Sequence, residues 1–155
     1  DVYKRQKWDR APARRSAPTM NVQPAANRRK VLIIDDNVDA ATLLAMFINF
    51  HGHDTAVANC GAEGLTLAAS FAPEVVLLDL GMPEMSGYDV AIALRKLPGL
   101  ARVYIAALTG WNDAQTRARV VASGFDKHLV KPPDVNAVLD LVDTCVQSPT
   151  RVGCA

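Results

Sequence analysis

Four short apolar runs in this 155-residue chain each end on a side chain that can take part in phosphoryl chemistry. The runs lead, in order, into Asp35 and Asp36, into Asp79, into Thr109 and into Lys131. In a parallel sheet the carboxyl ends of all strands lie at one edge, and ligands of open α/β folds bind in the crevice there. The pattern therefore gathers three carboxylates, a hydroxyl and an ammonium group at one place. It predicts a metal-assisted phosphoryl site.

The three carboxylates need a partner because adjacent negative charges repel one another. A hard divalent cation such as Mg²⁺, which prefers oxygen ligands and water, offsets that repulsion. Neighbouring side chains on a strand point to opposite faces, so Asp35 and Asp36 reach one ion only if the strand has already bent into its loop. The alternative interpretation is an acidic cluster at a helix N-terminus, which the helix dipole favours. It accounts for one aspartate but not for the pair.

Strands and helices of ordinary length alternate from residue 30 onward. Apolar runs predict strands near 30–35, 54–58, 74–79, 103–108 and 127–130. Helical spacing, capping residues and Gly or Pro stops predict helices near 38–50, 61–71, 87–96, 112–122 and 134–146. Strands of nearly continuous Val, Ile and Leu are typical of a sheet covered by helices on both faces. Right-handed crossovers then give a doubly wound five-stranded parallel sheet.

Charge divides the chain into a basic start and an acidic remainder. Residues 1–30 carry a balance of +7 and residues 31–155 a balance of −6. We expect a flexible basic extension over 1–28, partly non-native with Met20 as the natural start, then one domain over 29–146 and a tail over 147–155. No nucleic-acid-binding motif accompanies the basic charges, so nucleic acid is not expected as a partner.

The cysteines indicate a reducing compartment. Cys60, Cys145 and Cys154 are odd in number and show no metal-ligand spacing. We expect Cys60 and Cys145 to be small buried apolar residues. No apolar run reaches the ~18 residues that a membrane span needs, and no secretion signal is evident. These features predict a cytoplasmic protein without membrane contact.

Several short motifs now resemble one known family. They are Asp35-Asp36-Asn37, Asp79-Leu80-Gly81-Met82-Pro83, Ser86-Gly87-Tyr88, Thr109-Gly110, Gly124-Phe125-Asp126 and Lys131-Pro132. In this order and spacing they resemble the receiver domain of response regulators over residues 29–146. Residues 107–111 and 128–132 look most like the receivers of hybrid histidine kinases. The resemblance implies a flavodoxin-like strand order 2-1-3-4-5, a phospho-accepting aspartate, Mg²⁺, and a histidine kinase or phosphotransfer protein as donor.

The resemblance also implies a role for each site residue. Asp79 is the phosphoacceptor, and it binds Mg²⁺ together with Asp36 and the backbone carbonyl of Gly81. Asp35 acts on the ion through water.

Three further roles come from the same resemblance. Lys131 lies against the phosphoryl oxygens, and a cis peptide joins it to Pro132. Thr109 donates its hydroxyl to a phosphoryl oxygen and pulls the following loop inward.

The chain departs from the family pattern at two places. His128 stands where the family usually has Tyr or Phe, and two interpretations stay open: a static surface histidine or a part of the switch. The resemblance implies that Gly81 and Trp111 flank the phosphoryl group, and Gly81 has no side chain to orient water. If Trp111 shields the acyl phosphate, self-dephosphorylation is slow; the alternative is a loop aromatic packed on the fourth helix.

We expect a signalling receiver without an output domain, which is not an enzyme beyond slow self-dephosphorylation. Phosphorylation shifts a population between two states, and the surface of helix four, strand five and helix five reads it out, with a phosphorylation-dependent dimer left open. Gly81 argues against the alternative of an aspartyl-phosphate phosphatase, which needs an acid there. The complete site argues against a docking-only receiver. The missing glycine-rich loop argues against a flavodoxin-like cofactor binder.

Overall fold

Strands and helices alternate strictly through the part of the chain that the computed structural model describes, residues 28–111 and 113–144. They are β1 Lys30–Ile34, α1 Val38–Phe50, β2 Asp54–Ala58, α2 Gly61–Phe71, β3 Val75–Asp79, α3 Gly87–Arg95, β4 Tyr104–Thr109, α4 Ala114–Ala122, β5 Lys127–Val130 and α5 Val135–Thr144. Each begins and ends within two residues of its predicted position. Within these residues, no helix is both long and apolar enough to cross a membrane.

The five strands form one parallel sheet in the order β2-β1-β3-β4-β5, which confirms the predicted 2-1-3-4-5 topology. Its register aligns the strand ends that carry the candidate site. Ile34 pairs with Leu78, and Asp79 pairs with Leu108. Thr109 pairs with Val130, one residue before Lys131. The sheet therefore delivers the predicted groups to a single edge.

Each face of the sheet has its own apolar core. Alternate strand residues such as Val31 and Ile33 pack with α1 and α5, whereas Leu32 and Ile34 pack with α2, α3 and α4. Both sets of strand side chains are fully buried. The central strands are therefore apolar on both faces, as the continuous Val, Ile and Leu runs indicated.

Polar side chains start the helices that follow the strand-end loops. The side chains of Asn37, Cys60, Ser86 and Asp113 each accept a hydrogen bond from the backbone N–H three residues later. These bonds satisfy N–H groups that the first helical turn leaves unpaired. Asp113 has this role at the start of α4.

The prediction that Cys60 is buried is wrong. Cys60 is exposed. It caps the start of α2 at the protein surface, where its Sγ accepts a hydrogen bond from the Glu63 N–H at 3.5 Å. Cys145 and Cys154 lie outside the described residues.

Helix α1 buries a narrower stripe than its apolar residues indicate. Leu44 and Ile48 are buried. Leu43 and Phe50, which are also apolar and recur at helical spacing, are 66% and 83% exposed. Two small residues, Ala41 and Ala45, complete the buried stripe instead. The helix consequently presents large apolar side chains to solvent.

Candidate functional site

Three carboxylates meet at the carboxyl edge of the sheet. One oxygen each from Asp35, Asp36 and Asp79 lies within 4.8 Å of the others. Asp35 and Asp79 are only 2% and 5% exposed, whereas Asp36 is exposed. The predicted acidic cluster is therefore present, with two buried members and one at the mouth.

A sharp departure from β1 lets two consecutive side chains face the same site. The Asp35 N–H still donates to the carbonyl of Ala58 at 3.0 Å, as a strand residue would. The Asp35 carbonyl, however, accepts from the side-chain amide of Asn59 at 3.0 Å. The Asn37 N–H then turns back to Asp35 Oδ1 at 2.9 Å. The chain has thus left the strand between Asp35 and Asp36, as a shared ion requires.

Lys131 bridges the two buried carboxylates. Its Nζ lies 3.0 Å from Asp35 Oδ2 and 3.4 Å from Asp79 Oδ1. Its backbone N–H donates to the carbonyl of Thr109 at 2.8 Å, which holds the lysine at the strand edge. The peptide between Lys131 and Pro132 is cis, as the family resemblance implied.

The site carries a surplus of negative charge. Burial raises the pKa of Asp35, and the charge of Asp79 adds to the rise, against the Asn37 N–H and Lys131, which favour the ionised form. Burial lowers the pKa of Lys131, but its hydrogen bond to Asp35 and the charges of Asp79 and Asp35 outweigh burial and raise that pKa. One ammonium group thus faces three carboxylates. This donor set fits Mg²⁺, which prefers carboxylate oxygens and keeps several waters.

Backbone groups hold Asp79 closely. The Gly81 N–H donates to Asp79 Oδ1 at 3.0 Å. On the other side, α3 packs directly against the strand end, since a Cβ added at Gly87 would lie 2.5 Å from the carbonyl oxygen of Asp79. Gly81 itself is exposed, and the role of its carbonyl as a metal ligand stays a prediction.

Thr109 and His128 both contact the backbone of Trp111. The buried hydroxyl of Thr109 accepts from the Trp111 N–H at 3.0 Å. His128 Nε2 lies 3.2 Å from the Trp111 carbonyl oxygen, to which it donates when it carries the hydrogen. Trp111 is 70% exposed rather than packed on α4. His128 is therefore tied to the loop that follows Thr109, while its part in switching stays a prediction.

Asn59 was missed at the sequence level. It is the first residue after β2, the one strand of the five whose end carries no charge or hydroxyl. The register pairs Ile34 with Ala58, which places Asn59 beside Asp35. The polar residue directly after a predicted strand was the available signal.

Solved structures of receiver proteins share this architecture. Vibrio cholerae chemotaxis protein CheY4 superposes with a TM-score of 0.71 at 25% identity, over 74% of this chain and 96% of that one. The receiver domain of the Francisella response regulator 1452 gives 0.70 at 26% identity, over 77% and 97%.

Curated relatives include the DNA-binding response regulator MtrA of Mycobacterium tuberculosis, 36% identical over 105 residues, which is 68% of this chain and 45% of that protein. The transcriptional regulatory protein KdpE of the same species is 32% identical over 77% of this chain and 52% of its own. The chain thus spans about half the length of these relatives. Residues 31–143 match the family model described as the response regulator receiver domain. The chain belongs to the response regulator receiver family.

Proposed function

We propose that this receiver domain accepts a phosphoryl group on Asp79 from a phosphohistidine of a histidine kinase or phosphotransfer protein. The observation that carries the proposal is the burial of the Asp79 carboxylate beside Lys131 and two further carboxylates. An Asp79 oxygen attacks phosphorus, and the P–N bond to the donor imidazole breaks. The bonding pair stays on that nitrogen, and a proton on the other ring nitrogen of the phosphohistidine lets the ring leave as neutral imidazole; an acyl phosphate remains on Asp79.

Several groups around Asp79 would together offset the negative charge of the phosphoryl group. Asp36, Asp79 and the Gly81 carbonyl would hold Mg²⁺, with Asp35 acting through water. When bound, the ion offsets the charge of the phosphoryl oxygens and of the carboxylates. Lys131 is a point charge already placed 3.4 Å from Asp79 Oδ1, and it provides a partner for a phosphoryl oxygen.

Thr109 links the phosphoryl group to the surface. Its oxygen accepts from the Trp111 N–H, which leaves its own hydrogen available to a phosphoryl oxygen. Movement of the hydroxyl toward that oxygen pulls the loop with it and shifts the population toward a second state. The α4-β5-α5 surface would read out this state, and the exposed Val121 and Val130 support its use as a protein contact.

Receiver domains are signalling proteins. As such, this domain would act as a switch and would not turn over a substrate as an enzyme does. DNA binding is named for MtrA as a whole protein, of which this chain covers 45%, so it stays outside the proposal for this domain. Four expectations from the sequence stay predictions. They are the hybrid-kinase origin, the cytoplasmic location, a phosphorylation-dependent dimer, and the segment bounds 1–28, 29–146 and 147–155.

Intact-mass measurement tests the proposal. The protein is incubated with acetyl phosphate and Mg²⁺, and we expect one phosphate adduct that Asp79→Asn and EDTA both prevent. Asp140→Asn, an exposed aspartate on α5, is the matched control and should keep the adduct. Steady release of phosphate at enzyme-like rates would support the phosphatase instead. Absence of both the adduct and Mg²⁺ binding would support a docking module.

A further inference from the structure

We infer that Asn59 is a positioning residue for the metal ligands, because it holds the peptide that joins Asp35 to Asp36. The inference rests on the proposed function, in which this acidic pair serves one Mg²⁺ ion. Asn59 itself contacts neither the ion nor the phosphoryl group. It acts through the backbone of the ligands.

The hydrogen bonds around Asp35 show how β1 ends. Its N–H keeps the strand pattern by donating to Ala58. Its carbonyl takes a side-chain amide, Asn59 Nδ2 at 3.0 Å, as its partner. That carbonyl belongs to the peptide that precedes Asp36, so its direction sets the direction in which Asp36 leaves the backbone.

Asn59 is itself anchored, which makes it an effective support. Its backbone N–H donates to Glu63 Oε1 at 2.9 Å, and the Glu63 N–H donates to Cys60 Sγ at 3.5 Å. These reciprocal bonds resemble a capping box at the start of α2. The backbone of the half-buried Asn59 is therefore anchored at the start of α2, which positions its side chain toward Asp35.

The consequence concerns Asp36 more than Asp35. Asp35 is buried and held by Lys131 and the Asn37 N–H, whereas Asp36 is exposed. Adjacent side chains in extended backbone point to opposite faces. Without the Asn59 amide, the peptide is free to return toward that geometry and carry the Asp36 carboxylate away from Asp79. Ion binding then has to order the ligand, which lowers affinity.

Titration of the full chain with Mg²⁺ alone, followed by calorimetry and by tryptophan fluorescence, tests the inference. Asn59→Ala and Asn59→Leu both remove the donor, and Leu keeps a similar volume. Residues that support metal ligands typically contribute 10–100-fold to affinity. Because Asn59 bonds to ligand backbone, we expect a rise in Kd of about tenfold, at the low end of that range.

A control variant removes an asparagine side-chain hydrogen bond that lies away from the site. Asn49 Oδ1 accepts from Thr55 Oγ1 at 3.0 Å at the opposite end of β2, and Asn49→Ala should leave the Kd for Mg²⁺ unchanged. In the Asn59 variants, phosphorylation by acetyl phosphate should need more Mg²⁺ but reach the wild-type rate at saturation. A higher Mg²⁺ requirement with an unchanged rate at saturation distinguishes a loss of ion positioning from a general loss of structure.

The outcomes are distinguishable. A Kd within twofold of wild type in both Asn59 variants overturns the inference and leaves the proposed function standing. A phosphorylation rate of the Asn59 variants that stays below the wild-type rate at saturating Mg²⁺ also overturns the inference and leaves the proposed function standing. Failure of the wild-type protein to bind Mg²⁺ overturns both.

Discussion

Asp35 is a buried carboxylate whose ionisation costs stability. Burial raises its pKa in the folded protein even though Lys131 lies 3.0 Å away. A group with a raised folded pKa contributes stability that is fully present below its unfolded pKa and is lost as pH rises through the folded pKa. Ionised Asp35 therefore weakens the fold at neutral pH. A bound cation relieves that cost.

We predict that Asp35→Asn is more stable than wild type at pH 7 in EDTA. The amide keeps the volume and removes the charge, while Lys131 keeps Asp79 as a partner. The advantage should shrink as pH falls from 7 toward about 4, near the unfolded pKa of an aspartate. Urea unfolding at several pH values measures it. Asp36→Asn, at the exposed neighbour, should change stability less; equal effects would contradict the assignment to burial.

A second prediction at the residue scale is that Trp111 and Gly81 together set the access of water to the acyl phosphate. Gly81 brings no side chain to the site, and Trp111 stands two residues beyond Thr109 with its side chain largely exposed. We predict that Trp111→Glu shortens the lifetime of the phosphorylated protein several-fold, because a carboxylate orients water where an indole excludes it. Loss of the adduct over time after removal of acetyl phosphate measures this. Trp111→Phe keeps an apolar ring and should retain a long lifetime; equal decay of all three proteins would contradict shielding.

At the scale of elements, the close approach of α3 to the end of β3 holds Asp79 in place. An alanine at Gly87 would put its Cβ 2.5 Å from the Asp79 carbonyl oxygen and 2.8 Å from Leu80 Cα. Both are backbone atoms, so the helix or the strand end has to move. We predict that Gly87→Ala costs about 1–3 kcal/mol, measured by urea unfolding. It should also slow phosphorylation, because the displaced residue is the proposed phosphoacceptor.

Gly110→Ala is the control for that change. Nothing lies within 4 Å of a Cβ added at Gly110, so the free energy of unfolding should change by no more than about 0.5 kcal/mol. A similar loss in both variants would show that backbone freedom, not the contact with Asp79, makes glycine necessary at residue 87.

The sequence predicts best those strands whose residue pattern follows from one physical cause, which here is burial on both faces of the sheet. Strands β1 and β3 are buried on both faces, so continuous apolar runs marked both their position and the side chains at their ends. Strand β2 lies at the sheet edge and is half-buried along most of its length. Its weaker pattern drew no attention to its end, and Asn59 was missed there.

Features set by tertiary contact were predicted less well. Helical spacing alone does not separate the buried Leu44 from the exposed Leu43. The two are about 100° apart around the helix, each continues an apolar series along it, and only packing against the sheet selects one. Composition likewise favoured a buried Cys60, but its position before α2 made it a surface cap. The tie between His128 and the Trp111 carbonyl depends on how the loop after β4 folds back, which no local pattern records.

At the scale of the whole molecule, the site opens onto an apolar groove beside α1. The groove has a volume of about 550 Å³, and its lining includes the site residues Asp35 and Lys131 together with the apolar Leu43, Phe47 and Val135. Asp79 is only 5% exposed, so a protein that delivers a phosphoryl group has to cover this edge. The groove is continuous with the site through Asp35 and Lys131, and a donor protein is therefore its expected occupant. Helix α4 contributes no residue to the lining of the groove and stays available for readout.

The choice of donor separates these two surfaces. We predict that Leu43→Ser slows phosphoryl transfer from a phosphorylated histidine-phosphotransfer domain but leaves phosphorylation by acetyl phosphate unchanged, because the small donor needs no docking surface. If Leu43 is one of the few side chains that dominate the interface, its truncation should cost more than about 1 kcal/mol of binding free energy, which is roughly a fivefold loss of affinity. Val121→Ser, on the exposed face of α4, should leave both rates unchanged. Equal slowing with both donors would place the effect of Leu43 in the phosphorylation site itself, and slowing by Val121→Ser alone would move donor docking to the readout surface.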